Sequence, residues 1–343
     1  MGWADPRARK WGMARAAAAM ASLLVLLGAF SAGAQTKDLT RRWRTVRSAN
    51  FEVSYPEPLG LVARRVLRVA ERAHERLRPL LGHQPRKRVQ IVLNDDVDTA
   101  NGNATPIHYN VIRLYVSAPD DLSVLSDFDD WLTILVTHEH AHILHLDNIG
   151  GLPRIVNHIF GKIWAPNLLQ PRWILEGIAT YLESDLTAGG RLRSTQFEMY
   201  MRMAVLENNI LHFDTLNNRT DYWPHGDIWY LYGSRFVAWL VEQYGEGIIG
   251  DMAEWYGKRA IPFSVNRMAK RLTGKTFDAL YKAWIADMKD RYGALDASVR
   301  AQGIVEGERV TFKGERVRGL RFHGDDQLVY FASDGRSDPQ VRL

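Results

Sequence analysis

Residues 131–147 read WLTILVTHEHAHILHLD, a run in which His138, Glu139, His140, His142 and His145 stand among apolar side chains. It holds no Gly or Pro and is longer than an ordinary strand, so it predicts a buried helix, with Ser126 and Asp129 offering a capping-box-like start. On that helix His138 and His142 share a face, where two imidazoles one turn apart can reach a single metal ion. Glu139 lies about 100° round the helix and reaches a water beside that ion. With 11 His in 343 residues, chance supplies this H-E-x-x-H pattern in roughly one or two such chains in a hundred, so a third ligand must be found to give it weight.

Residues 171–184, PRWILEGIATYLES, are again helix-like, and Glu176 is acidic among apolar neighbours. A carboxylate on an apolar face is costly unless it is paired or binds a metal. Two readings stand: a metal ligand, or a helix-start carboxylate that caps backbone N–H groups. Together H-E-x-x-H and W-x-x-E-G-x-A-x-Y-x-E resemble the gluzincin zinc metallopeptidases, the group of thermolysin and aminopeptidase N, and most of all the bacterial peptidase MA-like domains. By position the resemblance implies His138, His142 and Glu176 as zinc ligands and Glu139 as the general base.

The spacing departs from that group, because the 33 residues between His142 and Glu176 exceed the interval of its best-known members. The excess is expected to loop out within residues 148–170, NIGGLPRIVNHIFGKIWAPNLLQ, which are apolar and basic. That loop can wall the cleft, touch a membrane surface, or pack as an excursion over the core. The metzincin pattern fails, since His145 and Asn148 stand where it requires Gly and His. His145 reads as a core or ligand-supporting histidine and His140 as structural.

At the start of the chain, Arg7, Arg9, Lys10 and Arg15 precede or flank an apolar run at 16–30, followed by Ala32-Gly33-Ala34. Residues 1–34 read as a secretory signal peptide cleaved after Ala34, the apolar run being short for a membrane span; an uncleaved anchor is the alternative. The chain is therefore expected to be exported, to a periplasm or beyond. It has no Cys, so lipidation at a cysteine, disulfides and thiolate ligands are excluded, and any metal falls to His and carboxylates. Losing the leader's four basic residues and one acid takes the formal charge from +5 to +2, which says little about partners. Scattered Arg residues and the lack of a nucleic-acid-binding motif argue against nucleic acid.

Between leader and metal helix, strands are expected at 51–55, 89–93 and 110–117, with a helix at 61–78 ended by Pro79 and a turn at Asn101-Gly102. Resemblance nominates residues 103–115 for substrate binding; an edge strand would offer its backbone to a peptide, a buried one would not. Beyond Glu176, helices are expected at 193–206, 227–244, 248–256, 264–272 and 277–292. Tyr230 to Tyr244 resembles the helix that supplies a tyrosine over the active site in peptidase MA-like domains, and the role is carried to Tyr230, with Tyr232 and His225 as rivals and a core position as the alternative. Glu183 is read as a surface charge or an amine-recognition group, and Thr180 as a ligand support.

The last forty residues turn β-prone at 309–312, 319–322, 328–332 and 340–343, and 324–335 resembles a TolB-type β-propeller repeat; a docked hairpin is the alternative. Because blades need neighbours, further repeats are expected beyond Leu343. The expected fold is thus α+β: a gluzincin-like domain at 35–300 with a small N-terminal sheet, the metal helix and a helical C-terminal half, then a partial propeller at 305–343. The implied activity is Zn2+-dependent hydrolysis of a peptide or protein substrate. A zinc hydrolase of another bond, and a binding protein working through the propeller, remain open.

Overall fold

Phe51, Val53 and Tyr55 are buried while Glu52 and Ser54 are not, and this period of two builds β2 (Phe51–Pro56) on one apolar face. The computed structural model describes residues 41–343 apart from 121–122, 124, 127, 219–222, 262, 311, 313–315, 335 and 339; the expected leader lies outside the described residues. β2 joins β1 (Trp43–Arg47), β3 (Val89–Asn94), β4 (Gly102–Thr105) and β5 (Val111–Tyr115) in a sheet of order β1-β2-β3-β5-β4. The inner pairs are parallel and the outer pairs antiparallel, which leaves β1 and β4 as edges. The segment nominated for substrate binding therefore divides: β4 is an edge and β5 is interior.

Helix α1 (Gly60–Leu81) crosses the sheet and buries Ala63, Val66, Val69, Ala70, Ala73 and Leu77 at helical spacing. It runs through the expected stop at Pro79. Leu81 is fully buried, and burying a leucine contributes roughly 1.5–3 kcal/mol, enough to offset the hydrogen bond lost at a proline in the last turn.

The metal helix α2 (Trp131–Leu146) is buried nearly all round. Trp131, Leu135, Val136 and Ile143 pack with the sheet and α1, while Ala141 and Leu144 pack into a second, helical core. A helix gripped from two sides must be apolar all round, which is why its histidines stand out. Its N-cap is Asp130, which accepts from the Thr133 amide at 3.4 Å, rather than the expected Ser126 or Asp129.

The helical half contains α4 (Arg172–Leu186), α5 (Thr195–Leu206), α6 (Ile228–Tyr244), α7 (Gly247–Gly257), α8 (Val265–Thr273) and α9 (Phe277–Ala301). Helix α9 outruns its expected end at Tyr292, carried on by exposed i,i+4 pairs between Arg291 and Asp287 and between Arg300 and Asp296. The expected loop at 148–170 contains α3 (Gly151–Phe160). No strand forms at the described residues 309, 310 and 312; β6 (Arg316–His323), β7 (Gln327–Ser333) and β8 (Gln340–Arg342) instead make a three-stranded antiparallel sheet. Among the described residues this is one strand short of a propeller blade and is not closed, and Arg318 ties it down by donating to Ser126 Oγ and to Gln196. The chain is α+β, and nothing described supports a propeller.

Candidate metal centre

Helices α2 and α4 bring together the three donors expected from the sequence. The Nε2 atoms of His138 and His142 lie 3.1 Å apart, and Glu176 Oε2 lies 3.5 Å from the first and 3.4 Å from the second. One ligand atom from each falls within 4.8 Å of the others, as donors around one ion require. Glu176 sits in the second turn of α4, and the first amide of that helix, on Arg172, donates to Asn217 Oδ1 at 2.6 Å, so the capping reading does not hold.

His138 has a built support. Its Nδ1 donates to Glu183 Oε2 at 2.7 Å, which turns its Nε2 lone pair toward Glu176 and His142. Glu183 is only 1% exposed, so it is neither the surface charge nor the amine-recognition group that the sequence suggested. Arg191 grips it with two side-chain bonds, Nε to Oε1 at 2.9 Å and Nη2 to Oε2 at 2.8 Å. Burial alone would raise the Glu183 carboxyl, but Arg191 and His138 outweigh it and hold it down to about 2. Thr180, between Glu176 and Glu183 on α4, finds no hydrogen-bond partner for its hydroxyl among the described residues and supports no ligand.

The donor set suits a divalent cation. Buried Glu139 and Glu183 and half-buried Glu176 put three carboxyl groups beside one guanidinium here. Burial opposes a charge on His138, yet Glu176 and Glu183 overcome it and lift the imidazole to about 9, so the cluster favours positive charge where the donors converge. Two imidazole nitrogens and one carboxylate oxygen, with no thiolate, match the borderline character of zinc.

Glu139 is also buried, its Oε2 has no hydrogen-bond partner among the described residues, and burial raises its pKa. It faces β4. A Cβ on Gly102 would lie 2.7 Å from Glu139 Oε1 and 2.9 Å from Leu135 Cδ1, so a side chain there would push Glu139 and Leu135 aside where glycine leaves them in place. Asn101-Gly102, read from the sequence as a turn, serves that approach.

Of the three candidates for a group above the centre, the structure brings in Tyr230. Its ring centroid is 6.4 Å from that of His138, and the Arg191 guanidinium lies 4.3 Å over its ring. Burial and the nearby Glu176 push the phenol's pKa up. Tyr232 is a core residue whose hydroxyl accepts from the Leu211 amide, and His225 is exposed in a short 3-10 turn before α6. His145 and His140 are fully buried and do not belong to the group of converging donors. Burial and His142 push His145 down to about 3; burial and His74 do the same to His140, which contacts His74 Nδ1 at 2.9 Å.

Arg191 is the residue missed by sequence reasoning, since nothing in Gly189-Gly190-Arg191 signals a link to Glu183. Glu183 could have been found: seven residues after Glu176, it occupies the same helix face two turns on.

No family model matches the sequence, and no curated protein matches it. Among solved structures, it is similar to an M1 zinc metallopeptidase from Deinococcus radiodurans at 15% identity, covering 71% of this chain and 51% of that chain with a TM-score of 0.38. A two-domain M1 zinc metallopeptidase bound to L-tryptophan gives 16% identity, 71% and 51% coverage and a TM-score of 0.37. An aminopeptidase N family protein from Idiomarina loihiensis gives 11% identity, 71% and 46% coverage and a TM-score of 0.39. The chain spans about half the length of the solved structures it matches. These overlaps are partial, and the reading of the site rests on its own side chains.

Proposed function

We propose that this chain is an exported zinc-dependent metallopeptidase acting on peptide or protein substrates. The observation that carries the reading is the convergence of His138, His142 and Glu176 beside buried Glu139, whose Oε2 has no hydrogen-bond partner among the described residues and which faces the edge of β4. Zinc held by those donors would acidify a water and polarise a substrate carbonyl. Glu139 takes the water's proton and returns it to the leaving amine, a role suited by the raised pKa that burial gives it. Tyr230, kept protonated by its own raised pKa, donates to the oxyanion as it forms. The β4 edge offers backbone amides and carbonyls to an extended peptide. The basic-then-apolar leader supports export.

Zinc content and digestion of a mixed peptide library, measured on the parent and two variants, test this. Glu176→Ala is expected to lose zinc and turnover together, whereas Glu139→Gln keeps zinc and loses turnover about 10²–10⁴-fold. Parent-level zinc in Glu176→Ala would remove the third ligand. A zinc-loaded parent that cleaves no peptide would move the reading to another bond or to binding.

A further inference from the structure

An ordinary surface helix turns its apolar stripe inward, and α3 does the reverse. Only Pro153 is buried, with Val156 and Asn157 half-buried, and Asn157 ties the helix to the loop after it: its side-chain amide donates to the Trp164 carbonyl and its Oδ1 accepts from the Ile163 and Trp164 amides. Leu152, Ile155, Ile159 and Phe160 face outward, each between 53% and 69% exposed, and Ile163 just beyond continues the patch. The segment is firmly held. The Gly150 amide donates to the Gly257 carbonyl at 3.0 Å, buried Asn167 donates to the carbonyls of His145 and Ala253, and Lys162 pairs with Asp147 at the end of α2. An apolar face this well fixed and this exposed is an interaction surface.

The charge around it names the occupant. Residues 148–170 contain no Asp or Glu, and their cations are Arg154 and Lys162. Arg154 lines one concave surface with Arg86, Lys87 and Arg88 from the turn before β3; the acids on that surface, Glu52, Asp147 and Glu254, are paired with Arg47, Lys162 and Lys258. Aliphatic and aromatic side chains facing out, with a surplus of cations beside them, are the chemistry of a helix lying in the headgroup layer of an anionic bilayer. We propose that α3 docks this protein on an anionic lipid surface, with Leu152, Ile155, Ile159 and Phe160 among the acyl chains and Arg154 and Arg86–Arg88 at the phosphates. The proposal is independent of the metal centre.

The test uses the chain from Gln35 onward, since Arg42–Leu343 forms one compact unit. Co-sedimentation is measured with phosphatidylcholine vesicles, with and without about 30% phosphatidylglycerol. The parent is expected to bind the anionic vesicles at least about tenfold more tightly than the neutral ones, less so in high salt. Ile155→Asp combined with Ile159→Asp should lose that binding with an unchanged melting temperature, because both positions are exposed. Arg154→Glu, which leaves the apolar face whole, should weaken it several-fold. Equal binding to neutral vesicles, or parent-level binding by the double variant, overturns the proposal. So does a vesicle-free parent that sediments as a dimer which the double variant dissolves, an outcome that assigns the face to a second copy of this chain.

Discussion

Gly177 of α4 and Gly233 of α6 meet backbone to backbone: a Cβ on Gly177 would lie 2.6 Å from the Gly233 carbonyl carbon, and one on Gly233 would lie 2.5 Å from the Trp173 carbonyl oxygen. Glu176 precedes the first glycine and Tyr230 lies three residues before the second, so this crossing sets the distance between a metal donor and the phenol above it. Gly233→Ala is expected to force the helices apart and cost about 1–3 kcal/mol of stability. Zinc affinity should fall with it, since Glu176 moves with its helix. Denaturant melts and zinc competition on the same variant check both effects.

The clamp behind His138 serves both metal affinity and folding. Glu183→Gln keeps the shape of the side chain but weakens its hold on the imidazole, and zinc affinity should drop about 10–100-fold. Arg191→Met instead strands a buried carboxylate and should destabilise the fold by roughly 3–5 kcal/mol. Chelator competition reads the first and chemical denaturation the second. Parent-like zinc affinity in Glu183→Gln would mean that His138 needs no orienting partner.

Tyr230→Phe deletes only the phenol oxygen. If that hydroxyl stabilises the oxyanion, kcat falls about 10²–10³-fold while zinc content stays at the parent level. Tyr232→Phe, in the core, should leave kcat within a few-fold. Steady-state kinetics on one peptide substrate distinguish the two tyrosines.

Asp147, at the end of α2, gives the fold an acid limb. Burial would raise its carboxyl, but His83 Nε2 at 3.0 Å, the Lys162 ammonium and the Asn110 amide at 2.9 Å together hold it below the usual aspartate range. A depressed folded-state pKa means that the unfolded chain binds the proton first. The stabilisation is therefore complete above about pH 4 and is lost as pH falls through the folded value. Asp147→Asn should cost roughly 2 kcal/mol at neutral pH and flatten the acid side of a stability-versus-pH curve measured by denaturant melts.

What could be read in the sequence follows from how local each cause is. Helix α2 is legible because a doubly gripped helix is continuously apolar, and Glu176 because it is a lone carboxylate in such surroundings. Strands β1 and β4 left little signal: β1 is largely exposed, with Trp43, Arg44 and Arg47 on it, and β4 is the four-residue stretch Gly-Asn-Ala-Thr. The α3 helix hid behind Gly150, Gly151 and Pro153, and its outward apolar face contradicts the pattern by which helices are placed. Arg191 owes its role to a partner eight residues away across a turn, a relationship that spacing rules do not encode.

The brevity of β4 bounds what its edge can hold. About half of the amides and carbonyls of an antiparallel edge strand point outward, so four residues followed by Pro106 offer an added chain roughly two to four hydrogen bonds. At about 0.5–1.5 kcal/mol each, these align a backbone without discriminating among sequences. Selectivity, and most of the residence time of any bound chain, must then come from side-chain pockets beyond the strand. The same shortness makes β4 a poor template for pairing with another copy of itself, so the edge stays available without inviting sheet-to-sheet aggregation.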